Sequence, residues 1–243
     1  MQNRLLEALP AEDLARIAPH LAMVVMDRGR VIFEPGDAIE SVLFPLDGVV
    51  SLMTLMESGA AIESATIGPE GAVGLMSAVA PRQSLSRAIV QTPLRASRIP
   101  ADRLREVWVQ SPALRSLVDR HTEALYAHAI QSVACNALHS VEARFCRWLL
   151  TCHDRISTDT LALTQEFLAD MLGVQRTTVT AIASKLQTRG LIGYRRGVVE
   201  ILDRAGLEAI ACECYQVVQG HYARLLDRPA GVPAESRAVS ARR

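Results

Sequence analysis

Between residues 171 and 199 the chain carries Arg176, Lys185, Arg189, Arg195 and Arg196, and no acidic residue. A local charge of +5 within a chain of zero formal net charge is an electrostatic footprint for a polyanion. The polar residues around these cations fit the same chemistry. Arg176, in the first turn of a helix, would form a bidentate pair with guanine O6 and N7. Thr177 and Ala181 would meet base edges or a thymine methyl. Thr164, Thr178, Lys185, Arg195 and Arg196 suit phosphate oxygens, which position a protein without specifying sequence. Gln175 and Thr180 complete a face that is polar, basic and free of acids.

Such residues need two short helices held at a sharp angle. Thr164 is a fitting N-cap, followed at once by Gln165 and Glu166. Phe167, Leu168 and Met171 give the first helix an inner face, and Ala169 is small where two helices would cross. Gly173 falls where the first helix must stop and turn, a conformation glycine adopts cheaply. Val174 plugs the turn; Val179, Ile182 and Leu186 hold the second helix to the core. This is the spacing of a helix-turn-helix. Residues 190–202 then read as strand, tight turn and strand, a wing with Arg195 and Arg196 at its tip.

The elements upstream differ in texture. Apolar residues recur at helical spacing over 4–22. From 23 to 99, short β-rich runs (31–33, 42–44, 49–53 and 88–90) alternate with turn signals such as Pro35-Gly36-Asp37 and Asp47-Gly48, the pattern of a β sandwich, barrel or jelly roll. A long helical tract covers 101–135, broken early at Ser111-Pro112. Its apolar stripe Leu114, Leu117, Val118, His121, Leu125, Ala129 and Val133 is a candidate dimerisation seam. A further helix covers 141–153, a polar loop 155–160 and a last helix 204–226.

Composition narrows the function class. No apolar run approaches the roughly 18 residues that span a bilayer, and the first residues lack a signal-peptide pattern, so a cytoplasmic protein without a membrane partner is expected. The five cysteines are odd in number and lie in the second half of the chain, which suits reduced packing thiols rather than a disulfide framework. Cys212-Glu213-Cys214 is too close for the usual metal half-site, and no metal is expected. Residues 23–99 hold no histidine, which argues against a jelly-roll metalloenzyme.

On these residues the sequence resembles the CRP/FNR family of bacterial regulators. The resemblance rests on the run 31–37, the turn region 68–75, the long connecting helix, residues 143–150 and the motif of 163–192. It implies an α+β chain: a cyclic-nucleotide-binding-like jelly-roll sensor (1–110), a connecting dimerisation helix (111–140), a winged helix-turn-helix (141–227) and a disordered tail (228–243). It also implies a homodimer on near-palindromic double-stranded DNA, a role as transcriptional regulator rather than enzyme, and contact with RNA polymerase if the protein activates.

The departures from the family pattern are informative. Cyclic-nucleotide-binding members hold the ribose with a Gly-Glu turn and the phosphate with Arg-Ser/Thr-Ala. The candidate effector residues here are Glu70, Gly71, Ser86 and Arg87, with the last two exchanged, which turns the guanidinium to the other strand face. Ala129 and Ile130 stand where the cAMP-binding prototype's hydroxyls would meet adenine. The effector is left open, with a cyclic nucleotide disfavoured and no cofactor expected. The cysteine cluster of oxygen-sensing relatives is missing, since the first cysteine is Cys135, and His20 is a weak candidate for a haem ligand. Arg176-Thr177-Thr178-Val179 lacks the prototype's glutamate, which predicts a different half-site. The competing reading is a ligand-binding module without DNA function.

Overall fold

A computed structural model describes residues 2–79 and 83–226. The expected disordered tail, 228–243, lies outside the described residues. The chain opens with helices α1 (Arg4–Glu7) and α2 (Ala11–Ile17), then strands β1 (Ala22–Met26), β2 (Val31–Phe33), β3 (Ser41–Asp47), β4 (Val50–Leu55) and β5 (Ala61–Ile67). Helix α3 (Leu75–Val79), strands β6 (Arg87–Val90) and β7 (Leu94–Pro100), and helices α4 (Ala101–Gln110) and α5 (Pro112–Leu138) follow. Next come α6 (Val141–His153), β8 (Thr160–Ala162), α7 (Gln165–Leu172), α8 (Arg176–Thr188), β9 (Ile192–Arg195), β10 (Val198–Ile201), α9 (Arg204–Ile210) and α10 (Cys214–Leu226).

The β region forms two antiparallel sheets, ordered β1-β7-β3 and β2-β6-β4-β5. Leu43, Val50, Ile67, Ala88, Val90, Leu94 and Ala96 fill the space between them. Alternating apolar residues are what such a sandwich buries. Strands β1, β5 and β7 are not anticipated from the sequence; in β1 Val24 and Met26 pack on the sandwich core while Met23 and Val25 are exposed, so an unbroken apolar run hides the alternation.

Ser111 breaks the long helical tract as expected. Its hydroxyl accepts from the Leu114 N–H (2.9 Å) and donates to buried Asp13 (2.6 Å), while Pro112 supplies a preset φ at the first helical position. From there α5 runs 27 residues, about 40 Å.

Much of the stripe expected as a seam on α5 is taken up by the chain's own packing. Leu114, Leu117, Val118 and His121 are at most 5 % exposed within the single chain, packed on the sandwich, on α4 and on α10. Leu125 and Ala129 are half-buried, Leu125 against the sandwich core. The opposite face carries Tyr126, Ile130 and Val133, the last a member of the expected stripe, exposed by 68 %, 52 % and 72 %. With Ala137 they recur at intervals of four, three and four residues. Both faces of α5 are apolar, so helical periodicity alone cannot say which one the chain consumes itself.

The last helical tract is two helices, not one, parted at Ala211-Cys212-Glu213. Val218, Tyr222 and Leu226 of α10 lie back against Leu114, Leu117 and Ala124 of α5. A strand, β8, ends the polar loop and pairs with β10, giving a β8-β10-β9 sheet. The core of this C-terminal part, around Phe145, Trp148, Leu168, Val179 and Leu186, takes in Val49 and Met53 of the sandwich. Polar ties reinforce the joint: Trp148 Nε1 donates to Glu63 (3.1 Å), Arg155 pairs with Glu70 (2.6 Å) and Arg28 donates to the Ala162 carbonyl (2.7 Å). No helix among the described residues is long and apolar enough to cross a membrane.

Candidate nucleic-acid interface

Thr164 caps α7, its hydroxyl accepting from the Phe167 N–H at 3.3 Å. Gly173 ends the helix at φ 64°, in the left-handed region. Its N–H reaches the Asp170 carbonyl (3.3 Å) and the Val174 N–H reaches that of Ala169 (3.0 Å), a Schellman closure that satisfies the last carbonyls. The chain can then start α8 after two residues. Val179, Ala183 and Leu186 anchor α8 in the core, and Ala169 and Ala183 keep the crossing close.

What α8 presents outward is Gln175, Arg176, Thr177, Thr180, Ala181, Ser184, Lys185 and Thr188, all exposed. Gln175 stands at the N-cap without a side-chain cap bond, and no acid lies in the first turn. The helix therefore directs its positive end and uncapped N–H groups outward, where an anion is stabilised.

The wing is a two-residue hairpin. Arg195 pairs with Val198, which leaves Arg196 and Gly197 as the turn, with φ of 52° and 76°. Positive φ at both positions is what a type I′ turn requires, and it matches the twist of the flanking strands. Tyr194 fixes the wing by donating to the Leu163 carbonyl at 2.9 Å. Between α7, α8 and the wing lies an open notch of about 390 Å³ lined by Thr164, Gln165, Arg176, Gln187, Tyr194, Arg196 and Gly197. Arg176 and Arg196 thus border one polar recess, beside the exposed Arg195. Burial raises the Tyr194 phenol pKa against the opposing pull of Arg176 and Arg28, so it serves as a neutral hydrogen-bonding group.

Three expected contacts need adjustment. Thr178 is half-buried and stands off the outer face. The Thr180 hydroxyl is engaged within the motif, 2.7 Å from Gln165 Oε1 and 3.0 Å from the Arg176 carbonyl. Lys185 pairs with Glu142 of α6 at 2.6 Å, and Arg189 lies 3.9 Å from the same carboxylate. An acid from outside the acid-free stretch therefore tempers its far end, which leaves Arg176, Arg195 and Arg196 as the cations free of that carboxylate. Gln165, Gln187 and Tyr194 join the site unforeseen; each reaches the notch only once α7, α8 and the wing have folded together.

The candidate effector residues do not converge on one cavity. Glu70 turns to Arg155. Arg87 turns to Glu34, with Nε 2.8 Å from its carboxylate. Ser86 lines a half-open cavity between the roll and α5, together with Phe33, Leu52, Ile67, Leu75, His121 and Leu125. Gly71 is buried outside that lining. That cavity holds about 60 Å³, well below the roughly 300–1,000 Å³ of ordinary ligand pockets.

A capped helix, a left-handed glycine turn, a basic second helix and an arginine-tipped wing define a DNA-binding regulator. Residues 143–210 match the Crp-like helix-turn-helix domain, and residues 23–111 match the cyclic nucleotide-binding domain. The chain belongs to the CRP/FNR family of transcription regulators. It is 25 % identical over 185 residues to the global nitrogen regulator of Nostoc sp., covering 72 % of this chain and 82 % of that one. Its fold is similar to FixK2 from Bradyrhizobium japonicum (TM-score 0.67, 17 % identity, 79 % of this chain and 98 % of that one). It is also similar to a CRP/FNR-family regulator from Thermus thermophilus (TM-score 0.62, 23 % identity, 78 % and 98 %).

Proposed function

We propose that this regulator works in the cytoplasm as a homodimer on a near-palindromic operator and has no catalytic role. Arg176 reads a base, with Thr177 and Ala181 beside it, while Thr164, Arg195 and Arg196 hold phosphates. The observation that carries this reading is the notch that Arg176 and Arg196 share between recognition helix and wing. In the dimer, α5 meets its symmetry mate through Tyr126, Ile130, Val133 and Ala137, the exposed heptad-like stripe. Two-fold symmetry then sets the half-sites about one helical turn apart. If the protein activates transcription, RNA polymerase is its further partner.

The effector of the roll is not a cyclic nucleotide on this reading. Arg87 and Glu34 neutralise each other, Glu70 is committed to Arg155, and the roll cavity is small and apolar. Any signal would act on the α5 pair and thereby reorient the two winged modules.

Selection of genomic fragments by the purified protein, with and without cyclic AMP and cyclic GMP, tests the whole reading. The expected result is one enriched palindrome whose recovery neither nucleotide changes. Salt-insensitive or sequence-independent capture would contradict it.

A further inference from the structure

Away from the DNA-facing surface, four side chains from two distant stretches converge. Cys135 and His139 stand one turn apart at the end of α5, Cys212 lies between α9 and α10, and Cys214 opens α10 just after Glu213. Cys135 Sγ lies 3.5 Å from Cys212 Sγ, and Cys214 Sγ lies 3.5 Å from His139 Nδ1. All four donor atoms fall within 4.8 Å of one another. The three thiols are free and buried, at 0 %, 7 % and 1 % exposure.

The spacing has the scale of a metal tetrahedron. Zinc–sulfur bonds near 2.3 Å and zinc–nitrogen bonds near 2.0–2.1 Å place neighbouring ligand atoms about 3.5–3.8 Å apart. The surroundings point the same way. His139 Nε2 lies 3.1 Å from the Glu213 carboxylate, which aims Nδ1 at the thiols. A carboxylate behind an imidazole is the usual device for orienting a metal-ligating histidine. Gln131 donates to Cys214 Sγ at 2.9 Å, a bond that supports a thiolate. A disulfide between Cys135 and Cys212 would use neither His139 nor Cys214, and apolar packing would need neither Glu213 nor Gln131.

We propose that Cys135, His139, Cys212 and Cys214 form a Cys3His site for a single zinc-class divalent ion. Donor atoms this close converge on one centre rather than spreading over the separate irons of a cluster. Thiolate and imidazole select zinc over magnesium or calcium. Four protein ligands leave no open position, which makes the site structural rather than catalytic. It clamps the end of α5 to the α9–α10 junction across the joint at His139-Ser140, where α6 begins. The close Cys-x-Cys pair, insufficient by itself, is completed by Cys135 in the last turn of α5 and His139 at its C-cap.

The test uses the full-length chain, stripped with a chelator and titrated with Co²⁺ and then Zn²⁺. One cobalt per chain is expected, with the strong visible bands of tetrahedral cobalt and a thiolate charge-transfer band in the near ultraviolet. Zinc should displace it, and either ion should raise the melting temperature. Cys214→Ser should remove the tetrahedral signature, and Glu213→Gln should weaken binding about tenfold. His139→Cys should keep the ion and strengthen the charge-transfer band, and Cys146→Ala, outside the cluster, should change nothing. Should Cys214→Ser fold poorly, His139→Cys and Glu213→Gln decide the matter through properly folded protein. No cobalt uptake, an octahedral spectrum, or a charge-transfer band unchanged by His139→Cys together with an affinity unchanged by Glu213→Gln would overturn the proposal.

Discussion

The Arg155 guanidinium, just beyond α6, lies 2.6 Å from the Glu70 carboxylate of the sandwich, and both side chains are about nine-tenths buried. Arg155 also donates to the Thr66 hydroxyl, and Glu70 accepts from the Gly68 N–H at 3.1 Å. This pair ties the DNA-binding part of the chain to the roll.

Breaking a buried ion pair leaves an uncompensated charge. Glu70→Gln should therefore destabilise the protein by about 3–5 kcal/mol. The double variant Glu70→Gln with Arg155→Met should recover most of that loss. Urea midpoints of the wild type, both single variants and the double variant provide the check; a double variant no better than the singles would refute the pairing as the cause.

Stability should fall on mild acidification, in part through His121. Its Nε2 accepts from the Ala72 N–H at 3.2 Å, and burial lowers its pKa from 6.5 to about 4. The unfolded chain thus takes up a proton between about pH 6.5 and pH 4 that the folded chain refuses. The stabilisation is complete above pH 6.5 and is lost as pH drops towards 4, by about 2 kcal/mol at pH 5. Buried His128 is shifted in the same direction. Urea unfolding at pH 7 and pH 5 should show a smaller difference for His121→Asn than for the wild type; an equal difference would exclude His121.

Arg196 holds a left-handed conformation that glycine or asparagine adopts at less cost. Arg196→Asn should leave the fold intact or raise its stability slightly. It should weaken binding to all DNA sequences alike and lower the salt slope by about 1. Loss of one sequence preference, with the salt slope unchanged, would mean that Arg196 reads a base.

Ile130 and Val133 are exposed on the face of α5 that the chain itself leaves uncovered. Replacing Val133 with Asp should convert a dimer to a monomer in sedimentation equilibrium and abolish tight operator binding. Leu114→Ala, on the buried face, should instead cost about 2–5 kcal/mol of stability in either state.

The DNA-reading motif was legible because its determinants are local. Thr164, Gly173 and the apolar positions 168, 171, 179 and 186 sit within one stretch, and each has a conformational job that few residues perform. The Arg196-Gly197 turn was legible for the same reason. What the sequence hid is long-range. The Glu70–Arg155 and Arg87–Glu34 pairs join residues 85 and 53 positions apart, so neither partner signals the other. Because both faces of α5 are apolar, the sequence does not show which one the chain buries against itself. The cysteine–histidine cluster was missed because its two halves are 77 residues apart at Cys135 and Cys212.

The central claim is that Arg176 supplies base recognition while its neighbours supply attachment. The direct measurement is the affinity of wild type and Arg176→Ala for the selected operator, for operators altered at single positions, and for random duplex at fixed salt. The expected result is a loss of about 1–3 kcal/mol on the operator, with discrimination relaxed at one position per half-site and much smaller change on random DNA. Equal losses on every duplex, or none on any, would contradict the account.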